Sequence, residues 1–528
     1  MFANFLKYKL FIIRRERVVS VVWFVSLTGF ALLLSVMYPG MFPTKESLYS
    51  LTATLTTPSM LAMLGPVYGT DAMTTAIAMA QQCLLWFGIA AIVMNIFFVN
   101  RHTRVDEELG RHEMLASLPV GRLTGSASTL VSAFALDMII AVVIALLTLA
   151  VNVEGTTVAG AFCYGLSIGM QGFVFAAITL LMAQLFSTAH GSLGFAFGLM
   201  GASYIVRAIG DMKGSDLSLI SPLGLGLRVE AFYTNAFAPI VILLTESVVI
   251  GAIAMLVNSR RDVGAGVFAA RKGRDGASAF MRSPLGLCRR LVQRGFITWA
   301  IAMFVLGSSY GSVIGQLDSF VEGNDMIKQV LQGSGAASLA EGFLPMLSGI
   351  MAMIITVPVI GVFTRLRTEE KRGRLEQIYA CAVPRGKMFA SITLIAVVET
   401  VVLTGLTALG LYSASASTNI LSFEAIAASG FSHIPAILVF AGLTAFLVGV
   451  APKFVGLVWA LFGYSFISLY FSRLFDMPDW AVRISPYGNV PQIPIEELAA
   501  APLAILSAIA VALGIVGYVS YRRRDIAQ

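Results

Sequence analysis

Long apolar stretches recur along the whole chain, each bounded by a short polar cluster. The first runs from Val18 to Tyr38 and the second from Met73 to Asn100, both nearly free of charge. A helix needs about 20 apolar residues to cross a hydrocarbon core roughly 30 Å thick. Twelve segments reach that length: 18–38, 74–99, 125–151, 158–187, 190–209, 236–258, 296–316, 342–364, 388–412, 429–449, 453–472 and 499–521. The pattern predicts an all-α membrane protein of about twelve transmembrane helices. Composition agrees, with 57% hydrophobic and only 12% charged residues. A soluble domain carries about 25% charged residues.

The charges test the count. Twelve spans that start in the cytoplasm divide the loops into an inner and an outer set. The inner set holds 29 of the 36 Lys and Arg residues. The outer set holds the other seven: Lys45, Arg207, Lys213, Arg228, Lys328, Arg473 and Arg483. This asymmetry follows the positive-inside rule and predicts that both termini are cytoplasmic. The net charge of +7 is accounted for by topology, and no nucleic-acid partner is implied. Four cysteines, Cys83, Cys163, Cys288 and Cys381, make no disulfide framework. Residues 1–17 mix Lys and Arg with Phe2, Phe5, Leu6, Leu10, Phe11 and Ile12, which predicts an interfacial helix leading into the first span.

The chain is one unit written twice. Arg104, Asp106-Glu107 and Gly110-Arg111-His112-Glu113 return as Arg367, Glu369-Glu370 and Gly373-Arg374-Leu375-Glu376, all at an offset of 263. Ile220-Ser221-Pro222-Leu223-Gly224 returns as Ile484-Ser485-Pro486-Tyr487-Gly488. Pro119 pairs with Pro384, Asp211-Met212 with Asp476-Met477, and Arg260-Arg261-Asp262-Val263 with Arg523-Arg524-Asp525-Ile526. Six spans return the chain to its starting side, so the repeat is parallel and predicts a pseudo-two-fold axis along the membrane normal. The expected divisions are a first six-span half at 1–258, a basic cytoplasmic linker at 259–295, and a second half at 296–528.

Two recurring elements are candidates for function. The loops 101–122 and 365–387 carry dense charges of both signs and predict a short exposed helix closed by Pro119 or Pro384. A solvated loop has no need to keep Gly-Arg-x-Glu in both copies, which favours a docking role. The outer segments 210–235 and 473–498 are too polar to span and too apolar for a free loop. A re-entrant helix and a surface loop with two turns both fit them.

This layout resembles the ABC-2-type export permeases, and the doubled form is similar to the polyketide-antibiotic and multidrug exporter permeases. The motifs carrying the resemblance are Glu107-Glu108-Leu109-Gly110-Arg111-His112-Glu113 and Glu370-Lys371-Arg372-Gly373-Arg374-Leu375-Glu376. It implies a type V ABC exporter-like fold of two six-helix repeats. It also implies a hydrophobic small-molecule substrate and coupling to two copies of a separate ATPase. By that resemblance Glu107, Glu108, Gly110, Arg111 and Glu113, with Glu369, Glu370, Gly373, Arg374 and Glu376, belong to the coupling segments. The chain has no Gly-x-x-x-x-Gly-Lys-Ser/Thr, so ATP and magnesium are expected on the partner, with no cofactor bound here.

Three acids fall inside spans: Asp137, Glu246 and Glu399, of which Asp137 and Glu399 are twins at offset 262. Intramembrane acids mark a pathway, a proton relay or a bonded partner. They give weight to the alternative of a proton-driven transporter of the major facilitator type. Against that, the loop after span two lacks Gly-x-x-x-Asp-Arg/Lys-x-Gly-Arg/Lys-Arg/Lys. In span five, Gly191, Gly194, Gly198 and Gly201 share one helix face, a pattern that predicts close helix packing. The four histidines show no metal-ligand spacing, and no catalytic cluster stands out.

Overall fold

The computed structural model describes residues 2–262, 264–268, 276–314, 339–381, 383–416, 421–472, 477–496 and 498–524. Among the described residues twelve helices are long and apolar enough to cross a membrane, and each overlaps one predicted span. The protein is a multi-pass, all-α membrane protein. It forms two compact units, Met1–Gly273 and Arg274–Gln528. Val263, Asp476, Asp525 and Ile526 of the repeat, Lys328 and Arg473 of the outer set, and residues 269–275 of the linker lie outside the described residues.

In the first unit, spans 1 to 6 are Phe5–Met41, Thr75–His102, Thr124–Val151, Val158–Leu185, Ala189–Met212 and Ala238–Arg260. Threonines start three of them. The Thr74, Thr157 and Thr188 hydroxyls accept from the backbone N–H of Ile77, Gly160 and Gly191, satisfying donors the helix leaves open. Span 4 forms the centre, packed against spans 2, 3 and 6. Its small residues admit span 3 closely: a Cβ at Gly165 would overlap the Ala141 carbonyl oxygen. Span 1 is one unbroken 37-residue helix. At 1.5 Å per residue it is about 55 Å long, so its basic start projects beyond the apolar layer as an extension of the span.

In the second unit, spans 7 to 9 are Pro284–Ile314, Leu339–Lys371 and Arg385–Ser415. Span 10 is Phe423–Ser432 followed by Ile434–Val450, span 11 is Leu457–Phe471, and span 12 is Ala500–Arg523. Packing follows the repeat. Span 1 lies on span 3 as span 7 lies on span 9, and span 4 lies on span 6 as span 10 lies on span 12.

The outer segments fold back into their own units. Pro222–Leu227 is a short helix with Leu223, Gly224, Leu225, Gly226 and Leu227 all buried, and the Ser167 hydroxyl of span 4 donates to the Gly226 carbonyl at 2.7 Å. In the second unit Tyr487 is buried, hydrogen-bonded to Thr356 of span 8 and stacked on Phe440 of span 10. A Cβ at Gly224 would strike the Ser218 carbonyl, and one at Gly488 would strike the Val482 carbonyl. The two copies thus share one tight turn.

Two expectations need correction. Gly194, Gly198 and Gly201 face open space, with nothing within 4 Å of an added Cβ, so the close approach read from their spacing is not made there. Close approaches through glycine occur instead between spans 7 and 9, at Gly307 and Gly410, and between spans 10 and 12, at Gly449 and Gly517. Arg207, counted with the outer loops, lies within span 5, fully buried.

Candidate functional site

The loop after span 2 forms two short helices, Arg104–Glu108 and Arg111–Ala116, joined at Gly110. The loop after span 8 extends the span itself to Lys371 and then forms Arg374–Ala380, joined at Gly373. Gly110 has φ 69°, ψ 3°, and Gly373 has φ 68°, ψ 5°. This left-handed conformation is costly for any residue with a Cβ. Nothing lies within 4 Å of a Cβ at either position, so backbone strain alone opposes substitution. Gly110→Ala and Gly373→Ala should each lose about 1 kcal/mol in unfolding measurements, and Asn at either position should lose less.

Beneath each glycine is an ion-pair network, and the same groups build it twice. Asp106 receives Arg111 at 3.1 Å, and its twin Glu369 receives Arg374 at 2.9 Å. Glu107 pairs with Arg104 at 2.7 Å and with Arg261 from the end of span 6. Its twin Glu370 pairs with Arg367 at 3.5 Å and with Arg524 from the end of span 12 at 2.6 Å. The backbone carbonyl of each of these last arginines accepts from another arginine of its own unit, Arg122 in the first and Arg385 in the second. Each network therefore ties the loop to the exit of its unit's last span.

Each unit adds its own contacts. In the first, Arg15 of span 1 grips Asp106 with two hydrogen bonds, 2.5 and 2.8 Å. Such a forked pair fixes geometry as well as charge. Arg104 also donates to the Gly264 and Ala265 carbonyls, at 2.9 and 3.1 Å. Residues 267–268 are pinned in turn by the Gln184 and Leu185 carbonyls. Glu108 accepts from the Ala189 N–H at the start of span 5, a favourable place for an acid. In the second unit Arg365 joins Glu369 at 3.3 Å, and the Tyr379 and Tyr521 hydroxyls meet at 2.8 Å. Burial, foremost, holds the Tyr379 phenol above its ordinary value.

The predicted coupling residues thus separate into two sets. Glu369 and Glu370 are buried and Glu107 is nearly so, and they face inward together with Asp106, which was not among the predicted set; Glu108 is exposed. Arg111, Glu113, Arg374 and Glu376 are exposed. Around them the first loop shows an apolar face, with Leu109, Met114 and Leu118 at 47%, 72% and 54% exposure. The equivalent positions of the second loop are the exposed Arg372, Gln377 and Cys381. Sequence reading missed the partners Arg15, Arg261 and Arg524. The last two could have been found, because they recur at the same offset as the acids they bind.

The intramembrane acids are not brought together. Asp137 is buried against span 4, and its Oδ1 accepts from Asn95 of span 2 at 2.9 Å. Glu246 is half-buried on span 6, and Glu399 is buried on span 9. The second unit holds an apolar cavity of ≈ 530 Å³, walled by Phe363, Leu394, Val397, Leu438, Val511 and Ile515, with Thr393, Ser507 and Tyr518 contributing its few polar groups. Among the described residues no three His, Cys, Asp or Glu side chains gather as a metal site.

Comparison with known proteins agrees with this architecture. Residues 281–522 match the family described as the C-terminal domain of the multidrug efflux system permease Rv1217c. The chain is 28% identical over 521 residues to the multidrug efflux system permease protein Rv1217c of Mycobacterium tuberculosis, covering 97% of this chain and 94% of that protein. Residues 281–522 are thus similar to that C-terminal domain, and the chain over nearly its whole length is similar to a multidrug efflux system permease.

Proposed function

We propose that this chain is the membrane-spanning permease of an ATP-driven exporter of hydrophobic small molecules, drugs or antibiotics among them. In this reading each unit recruits one copy of a separate ATPase through its charged loop, and ATP and magnesium sit on that partner. The chain lies in the bacterial cytoplasmic membrane with both termini inside.

The observation that carries the reading is the twin network. A loop that only connects two spans has no need for a left-handed glycine and a buried acid tied to the end of span 6 or span 12. A loop that passes force does. A partner pushing on the exposed face would move a segment already bonded to the spans, so displacement reaches the membrane without slack. The apolar cavity beside span 9 suits a hydrophobic cargo, since ligand pockets are mostly apolar with few placed polar groups.

Glu113→Lys combined with Glu376→Lys tests the docking. Both side chains are exposed, so folding should be unaffected. Reversing two rim charges should abolish co-purification of the ATPase and lower substrate-stimulated ATP hydrolysis at least tenfold. Retention of the ATPase by the doubly reversed protein would count against docking at these loops.

A further inference from the structure

The twin acids Asp137 and Glu399 occupy the same place in the repeat and have different surroundings. Asp137 is closed in. Asn95 of span 2 donates to its Oδ1, and Gly172 of span 4 packs so closely that an added Cβ would lie 3.1 Å from that oxygen. The residue equivalent to Asn95, at the repeat offset of 263, is Pro358, which has no side-chain donor. Glu399 has lost the partner its twin keeps. Its Oε2 is buried without a hydrogen bond, as is Oδ2 of Asp137, but no amide serves Glu399 as Asn95 serves the other oxygen of its twin, and the residue is 3% exposed.

Glu399 lines a cavity of ≈ 290 Å³ between spans 7 and 9. Val292, Phe296 and Ile297 of span 7 and Leu394, Ile395 and Val398 of span 9 supply apolar walls. Leu394 and Val398 are about half exposed on a span that faces hydrocarbon, so a solute dissolved in the bilayer can enter sideways. Gln293 adds an amide, and Arg289 marks the far end with its guanidinium over the Phe280 ring, 5.7 Å from the centroid. Cys288 packs on Met388, so the two helices run side by side with Arg289 ten residues short of the level of Glu399, about 15 Å along the axis. Arg289 is not the missing partner.

We propose that this cavity is a binding site for lipophilic monocations, an aromatic or alkyl body carrying an amine or quaternary ammonium, with Glu399 as the counter-charge. A neutral hydrocarbon or an acyl chain would fill the walls and leave the Glu399 oxygen as it is. A cation both fills the walls and supplies the absent partner. The cavity is separate from the larger one on the other side of span 9, with Leu394 common to both. The inference deepens the permease reading by naming a substrate class, and it rests on that reading for transport but not for binding.

The test is equilibrium binding to the purified full chain in neutral maltoside micelles, with no ATPase present. The probes are ethidium, a fluorescent lipophilic monocation, and Nile red, a neutral one. The wild-type chain should bind ethidium saturably. Glu399→Gln should weaken ethidium at least tenfold and leave Nile red unchanged, while Asp137→Asn keeps the ethidium affinity. Val398→Trp, which fills the cavity above an intact Glu399, should remove ethidium binding and carries the test should Glu399→Gln fail to fold. Unchanged ethidium affinity in either folded variant overturns the proposal. Loss of ATPase coupling in the separate docking experiment leaves this result untouched, so the two readings fail independently.

Discussion

Glu107→Ala is expected to destabilise the first unit by about 3 kcal/mol, within the range found when one partner of a buried ion pair is removed. Glu107 balances two guanidiniums at once, and the side chains of Arg104 and Arg261 are 1% and 6% exposed. Removing the acid leaves both cations buried, held only by carbonyls and by Gln184. Glu370→Ala should cost less, because Arg367 and Arg524 are 11% and 16% exposed and reach water more easily. Thermal unfolding of the purified chain should show this order. The double variant Glu107→Gln with Arg261→Gln should recover part of the loss, since neither charge is then stranded. Equal stability of wild type and Glu107→Ala would mean that the network contributes nothing to holding the loop.

Arg207→Ala is expected to be as damaging, at about 3–5 kcal/mol. Arg207 is fully buried in span 5 and binds a helix end. It donates to the carbonyls of Leu61, Ala62 and Met63 at 3.4, 2.9 and 3.5 Å, in the last turn of the short outer helix Pro58–Leu64. A helix leaves its last carbonyls open, and a buried end must find donors elsewhere. The same guanidinium pairs with Asp211 at 3.5 Å and lies over the Tyr204 ring, 4.6 Å from the centroid. Alanine would orphan the carboxylate and the helix end together. Arg207→Lys should restore little, because an ammonium cannot span three carbonyls with a planar fork. Protease protection of residues 45–64 would report the release directly, with faster cleavage expected in both variants.

The spans were legible because the bilayer imposes one long apolar run per crossing, and no tertiary information is needed to see it. The repeat was legible for a similar reason: it is written in residue identities at one offset. The loop networks were half legible. The recurrence of Arg104, Glu107 and Arg261 as Arg367, Glu370 and Arg524 could be read off the chain, but which way the acids point could not. Glu107 and Arg261 are 154 residues apart, as are Glu370 and Arg524, and only folding brings them together. The acids looked like docking residues because charge in a loop normally faces water. Here Asp106 and Glu107, like Glu369 and Glu370, turn inward, while Arg111, Glu113, Arg374 and Glu376 beyond the glycines are exposed.

The glycine pattern of span 5 misled for a related reason. Spacing places small residues on one face, but a helix face has to meet another helix before small size matters, and Gly194, Gly198 and Gly201 meet none within reach. The contrast between Asp137 and Glu399 was hidden until Asn95 could be seen donating to the first, after which Pro358 in the second copy becomes informative. A repeat is most useful where its two copies part, because the shared fold holds everything else constant.

Transport by this chain is proposed to run on ATP hydrolysed by a separate partner. The most direct measurement is drug efflux from cells producing the chain with and without that ATPase, repeated after a protonophore has collapsed the proton gradient. The account predicts efflux that needs the partner, persists without the gradient, and disappears when Glu113 and Glu376 are reversed to Lys. Efflux by the chain alone that stops with the protonophore would contradict it and place Asp137 and Glu399 in a proton-driven cycle.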